Sequence, residues 1–326
     1  METMEVQEIR VIELNMMDKR KYFPLTLLSG FTIRGLLYPF SVIRTRLQIQ
    51  KGNTIYKGTF DAFVKITRFE GFTGLYRGFW VSTLHMAPSF AYITTYEHVR
   101  HYMIENTTWT GSKIRSLTAG GVASIVGQTL SVPVDIVSQH MMLLGQRVGS
   151  PPVRVERKIE SLQRLHIPEE VRKKRFGAVV AVVKEIYKLD GLLGFYKGYF
   201  VSLAVFAPNS ALWWFFYDSY SGILAGIAPD WIPRLALQLF AAPCSGITSA
   251  LITNPIDVLR ARIQVERTTV KETSQLLWQE ERYRILIKGL SARLVQSVTF
   301  SFFIMLGYES IKRWSLLDEY KASVRW

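Results

Sequence analysis

Three prolines, Pro39, Pro133 and Pro255, are each followed at two and five residues by side chains spaced for ion pairing: Ser41 and Arg44, Asp135 and Ser138, Asp257 and Arg260. Residues three apart on a helix lie one turn apart on one face, so these positions can meet charges carried by neighbouring helices. The chemistry they offer is the making and breaking of charge-assisted contacts, not covalent catalysis. No phosphate-cradling P-loop, dinucleotide glycine fingerprint or G-x-S-x-G elbow is present. His98 and His101 stand three apart in HVRH without further ligands, which favours a structural pair near a helix end over a metal site. The single cysteine, Cys244, excludes a disulfide framework and a Cys-rich metal centre and reads as a small packed apolar residue. No enzyme activity, cofactor or metal is expected.

The elements that hold these residues are read from hydropathy. Among 326 residues, 40 Lys and Arg face 26 Asp and Glu, a formal charge of +14, yet 48% of residues are hydrophobic and the mean hydropathy is +0.12. Such a charge suits nucleic acid, an anionic membrane surface or an anionic substrate. Apolar stretches near 22 to 47, 79 to 100, 114 to 140, 198 to 225, 233 to 262 and 289 to 313 could each span a bilayer. Each carries Pro, Gly, Arg or Asp, as expected of spans around a polar cavity. A soluble basic repeat protein on nucleic acid fits these six stretches poorly, and no nucleic-acid partner is expected. Glu2, Glu5, Glu8, Glu13 and Asp18 argue against a cleavable targeting segment.

The spans repeat. YPFSVIRTRLQ, VPVDIVSQHMM and NPIDVLRARIQ align on the three prolines; EGFTGLYRG, DGLLGFYKG and EERYRILIKG follow; YEHVR, YDSYS and YESIK close each unit. This triplet resembles the mitochondrial carrier family (solute carrier family 25), marked by P-x-[DE]-x-x-[KR] in three repeats of roughly a hundred residues. Within the family, IRTRLQIQKG, PNSALWWFFY, LITNPIDVLRARIQVE and KGLSAR are similar to the carriers of branched-chain amino acids. The resemblance implies an all-α membrane protein with six transmembrane helices in three pseudo-symmetric repeats around a central cavity. The expected divisions are an N-terminal segment 1–21, repeats at 22–110, 111–228 and 229–318, and a tail 319–326. Residues 143–175, a Pro-, Gly- and charge-rich insertion in repeat 2, read as a solvated loop, which the family topology would turn to the matrix.

Proline inside a helix removes a hydrogen bond and bends it, and three bent helices around a pseudo-threefold axis would bring the charges into a ring. With the acid of each repeat paired to the base of the next, Asp135 meets Arg260, Asp257 meets Arg44, and Ser41 meets Ser138. In the reverse order two charges would stay unpaired in low dielectric, at several kcal/mol each. A matrix gate of Arg44, Asp135, Asp257 and Arg260 is therefore expected. At the other end, Arg100 with Asp218 and Lys312 with Glu97 would form a cytoplasmic gate, Glu309 being left over. The family opens and closes these networks alternately. A static helix clamp or a solvated helix end is the competing reading of the same charges. The elbows at Arg77-Gly78 and Lys197-Gly198 resemble those that hold cardiolipin in the family, and a helix N-terminus beside a cation suits a phosphate.

A substrate would be recognised where the repeats differ. Five residues before the prolines stand Arg34, Gln128 and Ala250. Arg34 lies two turns before Ser41 on the same face, and it suits a carboxylate fork or a clamp on backbone carbonyls. The family's contact positions on the even helices correspond to His85 and Met86, Val205 and Phe206, and Gln296 and Ser297. Leu84 replaces His85 if helix two is counted from its far end. Asn209, Ser210, Trp213 and Trp214 follow near Pro208, the tryptophans serving either the cavity or packing at a lipid interface. The candidate substrate set is Arg34, His85, Gln128, Val205, Phe206, Asn209 and Gln296. It suits a small carboxylate with an apolar side chain, branched-chain amino acids leading and other amino or keto acids following. An ion or proton leak on the same scaffold, suggested by thinned gates and His85, is the rival. The expected form is a monomer in the mitochondrial inner membrane.

Overall fold

The computed structural model of the protein describes residues 16–51, 55–106, 112–144, 175–229, 231–232 and 234–320; Glu309 lies in a described helix, but its side chain and most of the 143–175 insertion fall outside what is described. Among the described residues the chain is helical, with one isolated antiparallel bridge between Met17 and Leu316. The first repeat contains α1 (Lys19–Ile49), α2 (Thr59–Glu70), a 3-10 turn at Phe72–Tyr76, α3 (Phe79–Thr83) and α4 (Met86–Asn106). The second contains α5 (Ser112–Leu143), α6 (Arg175–Asp190), a 3-10 turn at Leu192–Tyr196 and α7 (Tyr199–Ile227). The third contains α8 (Arg234–Glu266), α9 (Val270–Glu281), a 3-10 turn at Arg282–Leu286 and α10 (Leu290–Ser315). Pro39, Pro133 and Pro255 lie inside α1, α5 and α8.

The three repeats share backbone punctuation as well as order. Gly71 and Gly191 end α2 and α6 at φ 75° and 63°, and Arg282 takes the equivalent left-handed place after α9 at φ 48°. The arginine carries a steric strain there of about 1 kcal/mol that glycine avoids. At the elbow, Gly78 has φ 81°, and a Cβ would stand 3.0 Å from the Tyr38 hydroxyl and 3.1 Å from the Ser138 carbonyl. Only glycine meets both the conformation and the space. The start of α9 is fixed by a capping box between Thr269 and Glu272.

The second long helix of repeat 1 differs from the unbroken span expected near 79 to 100. It breaks at Leu84 and His85, where Pro88 has no amide hydrogen to give the Leu84 carbonyl. That carbonyl accepts instead from Ala87 at 3.1 Å, and the Leu84 and His85 amides bond three residues back to Val81 and Ser82. Such a 3-10 turn rises about 0.5 Å more per residue than an α-helix. It restores about the rise of the one residue this helix lacks relative to its siblings.

Four segments are long and apolar enough to cross a membrane: Lys19–Ile49, Thr118–Leu143, Leu192–Ile227 and Leu235–Glu266; Leu290–Ile304 is a shorter apolar helix. Large apolar side chains point outward from several of them, Phe200 at 82% and Phe240 at 70% exposure, more than a water-facing surface would carry. Six membrane helices in three repeats are the architecture.

The chain divides into two compact units. The larger comprises Tyr38–Leu212 and Ser249–Leu294. Its cores bury α2 on α1 through Ile43, Leu47, Ala62 and Ile66, and α6 on α5 through Ile136, Met141, Val182 and Ile186. A third cluster joins Ile49, Leu143 and Val265, each ten residues after its proline, with Ala261. Equivalent residues of all three repeats thus meet at one point. In the other unit, Met1–Leu37, Trp213–Thr248 and Val295–Trp326, the Asp18 amide bonds the Ser315 carbonyl at 2.7 Å and the Leu317 amide the Met16 carbonyl at 3.1 Å. Trp213 stacks on Tyr217 at 5.2 Å.

Candidate functional site

The charges after the three prolines gather in the larger unit, directly above the three-repeat cluster. Arg44 of α1 and Asp257 of α8 are joined in an ion pair. Gln48, one turn beyond Arg44, donates to the same carboxylate at 2.7 Å. Asp135 and Arg260 are not joined, contrary to the order expected for the ring. The imidazole of His85 reaches Asp135 first, with Nε2 2.9 Å from Oδ1, because the break before α4 places the ring beside α5. Arg260 leans back one turn on its own helix, its Nε 3.9 Å from Asp257 and without a hydrogen-bond partner. The Ser138 hydroxyl is also without a partner, so no hydrogen bond links it to Ser41.

Below the ring, seven residues after each proline, stand Arg46, His140 and Arg262, all buried. Arg46 forks onto Glu70, with Nη2 2.9 Å from Oε2, and its Nε donates to the Met142 carbonyl at 3.0 Å. Arg262 binds Glu280 at 3.0 Å and Glu266 at 3.1 Å, with Glu281 at 3.7 Å. His140 makes no such link: its Nδ1 meets the Ile136 carbonyl at 2.7 Å, while Nε2 has no partner. The corresponding acid, Asp190, is paired instead with Arg267 and with Lys197 at 3.2 Å. Arg267 sits past the end of α8 at φ 60°, and Gly194 leaves room for it, since a Cβ there would lie 2.6 Å from its guanidinium. Outside the membrane helices, Lys288 bonds Glu281 and the Gln50 carbonyl. Burial first, then Arg262, push its ammonium down to about 8, with Glu281 pulling the other way.

The candidate substrate residues fall in both units. In the larger one, Val205 is buried and Phe206 is exposed, its ring edge-on to Tyr92 at 6.3 Å. Gln128 is buried with its Oε1 unpaired. Asn209 is already engaged, its carbonyl oxygen accepting from Thr253 at 3.0 Å and from Arg293 at 3.1 Å. His85 is held by Ser82 and Asp135, so both His85 and Asn209 are bound to protein groups. In the other unit, Arg34 and Gln296 are half-buried, Asp218 is exposed and Lys312 is buried. Glu97 and Arg100 are exposed on α4.

At the elbows, Arg77 pairs with Glu70 at 3.2 Å and Lys197 donates to the Arg267 carbonyl at 2.9 Å. Both are about a third exposed. Cys244 is exposed instead of packed, because the buried face of α8 at that level is formed by Ala241, Ala242 and Ser245. His98 bonds the Thr94 carbonyl at 2.8 Å and His101 lies 3.4 Å from Glu105.

Gln48, Arg46, Arg262, Arg267 and Arg293 were not singled out from sequence. The register offered the first three, since Gln48 and Gln264 both lie nine residues after a proline, and Arg46 and Arg262 seven. Arg267 had no such signal, because it lies beyond the repeated block.

The sequence pattern described as mitochondrial carrier protein matches residues 20–107, 110–227 and 233–319. The chain is 40% identical over 323 residues to solute carrier family 25 member 44 of Homo sapiens, covering 98% of this chain and 99% of that protein. Against the Mus musculus protein of the same name the identity is 39% over 324 residues, with 98% and 99% covered. It is 27% over 299 residues against mitochondrial substrate carrier family protein E of Dictyostelium discoideum, with 87% and 92% covered.

Proposed function

The chain belongs to the mitochondrial carrier family, and from that premise we propose that it moves leucine, isoleucine and valine across the mitochondrial inner membrane by alternating access. Members of the family are transporters of that membrane, not enzymes. The stretches PNSALWWFFY and LITNPIDVLRARIQVE, similar to those of branched-chain amino acid carriers, carry the substrate reading. Val205 and Phe206 supply apolar surface for the side chain, and Arg34 supplies a cation for the carboxylate.

In this reading the Arg44–Asp257 pair, braced by Gln48, is part of the matrix gate. Glu97, Arg100, Asp218 and Lys312 are, by register, the candidates for the cytoplasmic gate. The elbow cations Arg77 and Lys197 lie beside cardiolipin phosphates, attracted as anionic lipid attracts basic surface. The working unit is a monomer.

The test is uptake of labelled leucine into proteoliposomes holding the purified protein, beside Arg34→Ala and a panel of unlabelled amino and keto acids. Saturable uptake, competed by valine and isoleucine and lost in the variant, is the expected result. Absence of uptake from well-inserted protein would overturn the substrate, and a keto acid that competed best would replace it.

A further inference from the structure

His85 holds a ring between two oxygens. Its Nδ1 lies 2.9 Å from the Ser82 carbonyl and its Nε2 lies 2.9 Å from Asp135 Oδ1. A carbonyl only accepts, so Nδ1 carries a hydrogen. A neutral imidazole has one N–H, and with that hydrogen on Nδ1 the Nε2 lone pair would point at the carboxylate. An ionised carboxylate also only accepts. The 2.9 Å contact therefore requires one proton beyond the count of neutral histidine plus ionised aspartate, either on Nε2 or on Oδ1.

The surroundings allow that proton to come and go. The His85 side chain is 18% exposed and that of Asp135 23%, so water reaches both. The charged groups around the pair come from the odd helices. Arg260 and Asp257 of α8 carry opposite charges 3.9 Å apart, and Arg44 of α1 pairs with Asp257. Ser138, one turn beyond Asp135, offers no cation. Imidazole is the side chain whose ordinary charge change falls between about pH 5 and 8.

We propose that His85 and Asp135 form a proton-binding site whose occupancy holds this contact closed, so that opening it releases one proton to water and leaves neutral imidazole beside free carboxylate. As a step in transport this rests on the gate reading above; as a binding site it stands on the geometry alone. The stabilisation is present while the proton is bound and is lost when it leaves.

The first measurement is thermal unfolding of the full-length protein in detergent from about pH 5.5 to 8.5, the range that brackets imidazole titration, for wild type, His85→Gln and Asp135→Asn. The amide introduced by Asp135→Asn can donate a hydrogen to neutral His85, which keeps the contact and removes the need for a proton. The wild-type advantage over each variant is expected to shrink by about 3 °C from the acid to the alkaline end, for a contact of about 1 kcal/mol. If His85→Gln does not fold, Asp135→Asn carries the test alone. Curves parallel across the whole range would overturn the proposal. Leucine uptake across the same range separates the two readings. A converging pair of unfolding curves without uptake sinks the substrate and keeps the proton site. Saturable uptake with parallel unfolding curves does the reverse.

Discussion

Repeats 1 and 3 carry arginine at both five and seven residues after the proline, Arg44 with Arg46 and Arg260 with Arg262, where repeat 2 carries Ser138 and His140. The two acids of repeat 2 are nonetheless held. Asp135 takes His85 from repeat 1, and Asp190 takes Arg267 from repeat 3. Both carboxylates are part-exposed, so the missing register base costs each of them less than a fully buried charge would, and each is met by whichever chain the fold brings close. The two replacements differ in kind. Arginine brings a charge that never leaves, whereas histidine brings one only with a proton.

The largest test of this contrast removes the acids themselves. Asp257→Ala strips the shared partner of Arg44 and Gln48 and leaves Arg44 and Arg260 facing one another. A loss of about 3 to 5 kcal/mol is expected for breaking a buried pair, seen as a fall in unfolding temperature of roughly 10 °C. Asp135→Ala is expected to cost less than half as much, because His85 can shed its proton and turn to water. Equal losses at the two positions would break the comparison.

A smaller effect tests the borrowed arginine. Arg267→Ala leaves Asp190 with Lys197 alone, at an expected cost of about 2 kcal/mol for a hydrogen bond to a charged group. His140→Arg in the wild type adds a second buried cation beside Arg267 and is expected to destabilise. In the Arg267→Ala background the same change puts a cation where Arg46 and Arg262 stand in the other repeats, and recovery of about 1 kcal/mol or more is expected in the double-mutant cycle. Strict additivity would mean that Arg267 does not stand in for a cation at the His140 position.

The borrowed contacts also mark where sequence reasoning stopped. Order and type of the elements were legible because one pattern occurs three times, and Arg44 could be matched to Asp257 because both keep the register. The break at Leu84 and His85 is visible only as a one-residue deficit, since Pro208 at the same register as Pro88 leaves α7 continuous. Asp135 was assigned to Arg260 by a symmetry that the broken helix does not obey. Nothing in sequence spacing reports that the chain after α8 folds back onto Asp190. Cys244 was misplaced for a simpler reason, since composition does not say which face of α8 is buried. Arg34 and Gln296 remain candidates by register, whereas Asn209 proved to be tied to Arg293 and Thr253.

Repeat 3 sets three acids, Glu266, Glu280 and Glu281, around Arg262 and Lys288, and it gives the smallest of these effects. Glu281 is held by Lys288, and the Arg262 guanidinium lies 3.7 Å from the same oxygen. Burial and that arginine lower the Lys288 ammonium from its ordinary 10.5 to about 8. Below about 8 the lysine is charged whether the chain is folded or not, and above 10.5 it is neutral in both states. Between these limits the unfolded chain binds more protons at this site than the folded one, so stability rises with pH across the window. Lys288→Met removes the titration. The difference in unfolding temperature between wild type and this variant is expected to move in favour of wild type by a few degrees from about pH 8 to 10. The Arg262 guanidinium still lies 3.7 Å from Glu281 when the lysine gives up its proton, so the carboxylate keeps a cation nearby. A flat difference would mean that the Lys288 ammonium stays charged across the window, held by Glu281 against its burial.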